Sequence, residues 1–341
     1  MEKIVLLTDY LGHFESKQKS VPKYSGLDKD LLVKEFAGRG YEIQFTGFSD
    51  IDFRRQEHRG QIFLYTSSED PGFIYKDYIE DIIYGLTLRG ARVIPGYPFL
   101  RANNNKVFME IMRDLADLPE LKNIRTWHFG TLEDLQSKIA GLPSETVIKP
   151  ASGAMSKGVS RAAGQDELLH HARKLSRTRA YFSELWDLKN TFKYKGFRPG
   201  SRYRRKFIVQ NLVKGLDHDW KVLVYGSRYF ILRRENRPND FRASGSGILS
   251  FTEDIPSGIL DFASVVYRHF GMPNLSLDIA TEGNTFYLLE FQALYFGTYT
   301  LEESPFHYRL TDGGWQVQRG RVNLENIYAE SICTYLEKKT I

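Results

Sequence analysis

Asp278, Glu290 and Gln292 are the residues whose types and spacing point most directly to chemistry. Two alternating apolar runs, Leu275–Ala280 and Thr285–Gln292, flank Thr281-Glu282-Gly283-Asn284. Such runs around a short Gly/Asn turn predict a β-hairpin. Strand side chains alternate between faces, so Glu290 and Gln292 share one face and Leu289 and Phe291 take the other. Folding about residue 284 sets Asp278 opposite Glu290. Two carboxylates opposed across a ladder repel each other. A raised pKa, a basic neighbour or a hard cation must compensate. Two carboxylates and an amide oxygen on one face suit Mg²⁺ that also holds a nucleotide's phosphates. Taken alone, the hairpin also reads as a half-solvated ribbon whose polar face meets water.

The second chemical stretch is Glu145–Pro150, an apolar strand ending in Lys149, followed by a loop of small residues, Ser152–Val159. Small residues let backbone N–H groups approach phosphate oxygens, and a lysine supplies the charge. The P-loop pattern is not met, and a plain surface turn is the other reading. Ahead of it, Asn103–Asn105 and Lys106 open a helix to about Leu115. Behind it, Phe207–Leu212 is an apolar strand. Lys221–Tyr225 and Tyr229–Arg233 form a hairpin about Gly226-Ser227, ending at Arg233 and Arg234. The stretch 239–247 is small-residue rich and contains Arg242, and Ile259–Phe270 is an amphipathic helix.

The first third alternates strand and helix: strands at Lys3–Thr8, Tyr41–Thr46, Gln61–Thr66 and Ala91–Ile94, helices at Leu27–Ala37 and Tyr75–Leu88. Alternation of this kind predicts an open, mostly parallel sheet. No GxGxxG follows the first strand, which argues against a dinucleotide site. The segment Gly12–Tyr24 is polar and lysine-bearing and reads as a loop.

At 341 residues the chain can bury two or three cores, and 42% hydrophobic with 26% charged residues is ordinary for a globular protein. The net charge of +5 favours anionic ligands without requiring nucleic acid, and none is expected. The single cysteine, Cys333, rules out a disulfide framework and a CxxC metal site. No apolar run approaches the ~20 residues of a membrane span, so no membrane partner is expected. The opening MEKIVLLTDY reads as a strand rather than a signal peptide. A reducing, cytoplasmic setting is the expectation.

Four features occur in one order: a helix-opening lysine, a strand-end lysine with its small-residue loop, an apolar strand with an acid following, and the Asp278…Glu290-Phe-Gln292 hairpin. In that order they resemble the ATP-grasp superfamily, and within it the carboxylate–amine ligases akin to glutathione synthetase and the ribosomal-protein glutamate ligases. The resemblance covers roughly residues 100–341. It implies an α/β (α+β grasp) fold class. Residues 1–99 would form an open α/β domain ahead of a two-lobed ATP-grasp domain, 100–341. The lid subdomain would span about 145–212 and the metal-binding lobe about 213–341.

The resemblance also implies roles. Lys106 and Lys149 match the lysines on the nucleotide phosphates, and Ser152, Gly153, Lys157 and Gly158 fall in the loop that closes over them. Gln210, Asn211, Leu212 and Val213 match the strand whose backbone reads adenine, and Asp219 matches the acid on the ribose hydroxyls. Arg233 or Arg234 matches the arginine at the γ-phosphate, and Arg242 lies near the acceptor end. Asp278, Glu290 and Gln292 match the ligands of Mg²⁺, with Mn²⁺ an alternative ion. Gln292 stands where the family usually has Asn, one methylene shorter.

The implied activity is ATP-dependent joining of a carboxylate to an amine through an acyl phosphate, with ADP and phosphate released. The expected substrates are a small-molecule or peptide carboxylate and an amine, and homodimers are common in the family. Phe192–Lys206 holds seven Lys/Arg and no acid. It reads as a solvated basic loop or as a site for a polyanionic acceptor. The latter keeps open an ATP-grasp kinase acting on a hydroxyl, and Gln292 keeps open a nucleotide-binding protein without turnover.

Overall fold

The computed structural model describes residues 2–18, 26–54, 56–153, 156–178, 181–238 and 240–338, with 181 and 183 by backbone alone. Residues 19–24 of the Gly12–Tyr24 loop, 154–155 of the Ser152–Val159 loop and 239 ahead of Arg242 lie outside them. The chain divides into two compact units, Met1–Asn103 with Leu216–Ile341, and Asn104–Gly215.

The first unit begins with β1 (Glu2–Thr8), α1 (Lys29–Ala37), β2 (Tyr41–Gly47), β3 (Ile62–Tyr65), α2 (Ile74–Leu88), β4 (Arg92–Ile94) and α3 (Tyr97–Ala102). The strands form a parallel sheet in the order β2-β1-β3-β4. Ile4 to Thr8 of β1 are all buried, because a parallel sheet is covered on both faces. Asp28 caps α1, its carboxylate accepting from the Leu31 N–H at 3.0 Å. The described part of the Gly12–Tyr24 loop is pinned: Ser16 donates to the Phe296 carbonyl at 2.9 Å and Lys17 pairs with Glu325 at 2.5 Å.

The second unit contains α4 (Lys106–Leu115), β5 (Thr126–Phe129), α5 (Leu132–Lys138), β6 (Thr146–Pro150), β7 (Ser160–Ala162), α6 (Gln165–Ser176), α7 (Tyr181–Lys193) and β8 (Phe207–Asn211). Its four strands pair antiparallel in the order β5-β8-β6-β7. Ile148, Phe207 and Val209 of this sheet pack with Leu168 and Ala172 of α6.

The first unit resumes with β9 (His218–Tyr225), β10 (Arg228–Glu235), β11 (Leu249–Ser250), α8 (Ile259–Phe270), β12 (Asn274–Glu282), β13 (Thr285–Gln292), α9 (Tyr299–Glu303), β14 (Phe306–Thr311), β15 (Gly314–Arg319) and α10 (Leu324–Lys338). These strands make one antiparallel sheet in the order β13-β12-β9-β10-β14-β15, with β11 also on β10. Helix α8 covers one face. Phe262 meets Phe286, Tyr267 meets Tyr229, and Phe270 stacks on Phe291 at 4.3 Å. On the other face Leu223, Tyr225 and Phe230 join Ile327 and Ile332 of α10 in one core with Ile4, Leu6 and Phe36. Residues 1–103 and 216–338 therefore share a hydrophobic core.

The predicted hairpin forms with Asp278 opposite Glu290. One detail differs. The register shifts after Asp278, so Ile279 pairs with Leu288. Leu289 is the extra residue of a bulge, and the residues buried on the α8 face are Leu288 and Phe291, not Leu289 and Phe291. The hairpin β14–β15 was not legible because five residues of β15, Trp315–Arg319, carry mostly polar, half- or fully exposed side chains. The observed architecture is the mixed α/β arrangement that the resemblance implies.

Candidate functional site

Four adjacent strands of the large sheet place a contiguous polar array on the face opposite α8. Registers Arg234↔Asp219, Lys221↔Asp278, Ser276↔Gln292 and Asp278↔Glu290 run from β10 through β9 and β12 to β13. Period-two alternation then puts Arg234, Asp219, Lys221, Ser276, Asp278, Glu290 and Gln292 on one face. Three carboxylates there meet two cations, so the array is net negative.

Arg234 is its hub. It is 7% exposed and donates to Asp219 through Nε at 2.6 Å and NH2 at 2.9 Å. Its NH2 also lies 2.8 Å from Asp278 Oδ2. Lys221 Nζ is 3.4 Å from Asp278 Oδ1 and donates to Ser276 Oγ at 2.9 Å. The opposed carboxylates thus find their compensation in basic neighbours. Burial alone would raise the Asp278 pKa, but the Arg234 and Lys221 charges outweigh it and hold the group at about 2. Asp219 goes the other way, raised chiefly by burial and also by the Asp278 charge, although Arg234 opposes this. Gln292 Nε2 donates to Glu290 Oε1 at 3.4 Å.

Arg233 points away from this array. It pairs in register with Trp220, and its guanidinium lies 6.0 Å from the Trp220 ring on the α8 side. Arg242 is gripped locally, its Nε and NH2 each 2.8 Å from an oxygen of Asp240. Asp219, matched by the resemblance to a ribose contact, spends both oxygens on Arg234. His218 bonds Asp217 and stands edge-on to Trp220.

The second unit builds its own cluster around the small-residue loop. Asn105 caps α4, and Lys106 at the helix start is 7% exposed. Lys106 Nζ donates to the Gly153 carbonyl at 3.2 Å, and its backbone N–H to the Ala151 carbonyl at 2.6 Å. Gly153 N–H donates to Asn104 Oδ1 at 2.7 Å. Lys206 Nζ reaches Asn105 Oδ1 at 2.9 Å. Lys149 is half-buried near the end of β6, and Lys157 is exposed. Gly158 has φ +76°, and a Cβ there would come within 3.1 Å of Leu175 and 3.3 Å of Pro150. Ser152 is half-buried and Gly153 exposed at the near end of the loop.

Gln210 and Asn211 lie inside the ladder, with Gln210 between Thr126 and Val147. The Gln210 amide donates to Glu110 at 3.0 Å and to Thr126 at 2.9 Å. Leu212 and Val213 follow the end of β8.

Lys221 and Asn104 were given no role from the sequence, and Lys206 only as the end of the basic segment Phe192–Lys206. Lys221 had a signal: it is two residues past Asp219 on a strand, hence on the same face. The other two had none, because their partners are 49 and 101 residues away.

The array's donors test well against a divalent cation. Asp278, Glu290 and Gln292 offer only oxygen ligands, in a net negative setting, which is what a hard cation takes. Two of the three are carboxylates, and among the described residues no group of three or more His, Cys, Asp or Glu is arranged to hold an ion.

Two solved structures resemble the chain along its length. D-cycloserine synthetase DcsG is 14% identical with a TM-score of 0.54, over 98% of this chain and 99% of its own. The ADP complex of PurK, N5-carboxyaminoimidazole ribonucleotide synthetase, is 14% identical with a TM-score of 0.56, over 98% of this chain and 77% of its own. The sequence matches no family model, and no curated protein matches it. The chain has the ATP-grasp fold. No helix among the described residues is long and apolar enough to cross a membrane.

Proposed function

We propose that this protein is an ATP- and Mg²⁺-dependent ligase that joins a carboxylate to an amine through an acyl phosphate. The observation that carries the reading is the Asp278–Glu290–Gln292 face, net negative and anchored by Arg234, in a chain with the ATP-grasp fold. A carboxylate does not condense with an amine directly, because oxide is a poor leaving group. Transfer of the γ-phosphoryl of ATP to a carboxylate oxygen gives an acyl phosphate and ADP. A neutral amine then attacks the carbonyl carbon, the nitrogen loses a proton, and phosphate leaves.

The chain's residues take these roles. Asp278, Glu290 and Gln292 hold Mg²⁺, which when bound neutralises charge on the transferring phosphoryl group. Arg234 acts through Asp278, keeping it ionised as a ligand. Lys106 and Lys149 bind nucleotide phosphates, and the Ser152–Val159 loop, including Gly153, Lys157 and Gly158, covers them and excludes water. Leu212 and Val213, just past the ladder, are the backbone offered to adenine. Arg242 meets the substrate's oxygens near the acceptor.

A second reading, nucleotide binding without turnover, is favoured by one observation: Arg234 and Lys221 already engage both oxygens of Asp278. Coupled ADP and phosphate release with ATP and Mg²⁺, over paired carboxylates and amines, separates the two. Phosphate released only with a particular pair establishes the ligase. ATP bound in a calorimeter, with no release across the panel, favours the binder, and ADP formed without phosphate from a hydroxyl compound would mark a kinase.

A further inference from the structure

Helix α7 of the second unit is built inside out. At 3.6 residues per turn, Phe182, Leu185, Trp186, Lys189, Phe192 and Lys193 fall on one side. Phe182 is 91% exposed, Phe192 84%, Leu185 65% and Trp186 61%. The opposite side carries Glu184 and Asp187, both less exposed. Glu184 faces the protein and pairs with Arg177 at 3.1 Å and Arg202 at 3.7 Å. A surface helix ordinarily turns its apolar stripe inward. This one spends Glu184 on the protein and shows its aromatics to solvent, so among the described residues the apolar face is unpartnered.

A cationic strap continues from it. No acid occurs from residue 188 to 216, and Lys193, Lys195, Arg198, Arg204 and Arg205 are all exposed. Lys189 lies 5.4 Å from the Trp186 ring and Lys193 5.0 Å from the Tyr194 ring, ammonium groups alongside aromatics. Lysine stems beside Trp and Tyr, with charged ends that can reach headgroups, are what an interfacial helix presents. Clusters of four to eight basic residues on such a helix attract anionic lipid.

We propose that α7 and the strap form a docking surface for an anionic membrane, with the apolar face entering the headgroup boundary. A second copy of this chain would bring like charge against the strap. Nucleic acid would use the strap and leave Phe182, Leu185 and Phe192 in water. Lying on a membrane in this way requires no spanning segment.

The test uses the full chain and sedimentation with vesicles of phosphatidylcholine alone or with one part in four phosphatidylglycerol. Binding is expected to the anionic vesicles only and to weaken with salt. A blue shift in tryptophan emission should accompany it and vanish in Trp186→Phe. Leu185→Ser with Phe192→Ser, and separately Lys193→Ser, Lys195→Ser and Arg198→Ser together, should each weaken binding by about tenfold or more. Unchanged melting temperatures, expected because these side chains are exposed, would show that the variants fold. No sedimentation with anionic vesicles overturns the proposal. So does wild-type binding by the Leu185/Phe192 variant, which would leave only diffuse electrostatics. Binding of polyglutamate without binding of vesicles would assign the surface to an acidic polypeptide instead.

Discussion

Arg233 and Arg234 are neighbours in sequence and lie on opposite faces of one sheet. Arg234 joins Asp219 and Asp278, whereas Arg233 lies beside Trp220 on the face of the sheet that α8 packs against. The two should therefore respond very differently to removal. Arg234→Met leaves the buried Asp219 without its partner and Asp278 with Lys221 alone, and should cost about 3–5 kcal/mol. Arg233→Met should cost less than half of that. Urea unfolding of both variants checks this, and equal costs would refute the assignment of faces.

Acid should probe the same cluster. Asp278 titrates at about 2 in the folded chain against an ordinary 3.8. A depressed carboxyl contributes stability above its unfolded pKa and loses it as pH falls through the folded one. The stability advantage of the wild type over Asp278→Asn should shrink as pH falls from about 4 to about 2. Melting temperatures across that window measure it, and a constant difference would count against the pairing with Arg234.

Glu15 should behave in the opposite sense. Its carboxylate accepts the Tyr295 N–H at 2.8 Å, and burial pushes its pKa from 4.5 up to about 8. A raised carboxyl contributes fully below its unfolded pKa and loses that contribution as pH rises through the folded value. The melting temperature of Glu15→Gln, relative to wild type, should rise between pH 4.5 and about 8 and then level off. A flat difference would show that Glu15 titrates normally.

Gly158→Ala should destabilise the second unit by about 1–2 kcal/mol, since φ +76° is strained for alanine and its Cβ would crowd Leu175 and Pro150. Calorimetric unfolding reads the cost. A neutral substitution would mean that the loop relaxes.

The proposed chemistry makes two demands. Lys149→Ala should weaken ATP binding by roughly 1.5–3 kcal/mol, the loss of one charged hydrogen bond. Glu290→Ala should abolish turnover while the melting temperature stays near wild type, because Glu290 is half-buried at the sheet's polar face. Near-normal turnover in folded Glu290→Ala would remove the hairpin from the mechanism.

Local rules carried the sequence reading far. Apolar alternation around Gly283-Asn284 sets Asp278 against Glu290, and the periodicities of Lys106–Leu115 and Ile259–Phe270 mark α4 and α8 to the residue. Each of these depends only on neighbours within one turn or one hairpin. The bulge at Leu289 escaped because it exchanges one apolar residue for the next, and composition is blind to that.

Only tertiary structure decided how the charges are settled. Strand β9 pairs with both β10 and β12, and that non-sequential neighbour brings Lys221 and Arg234 to Asp278 across 57 and 44 residues. The core that joins Ile4 and Phe36 to Tyr225 and Ile332, and the reversal that leaves Phe182 and Trp186 in solvent, likewise have no local signature. Residue types and periods determine which groups can do chemistry and which face they share. Which cation neutralises which carboxylate depends on the order of strands in the sheet, a long-range choice made by burial.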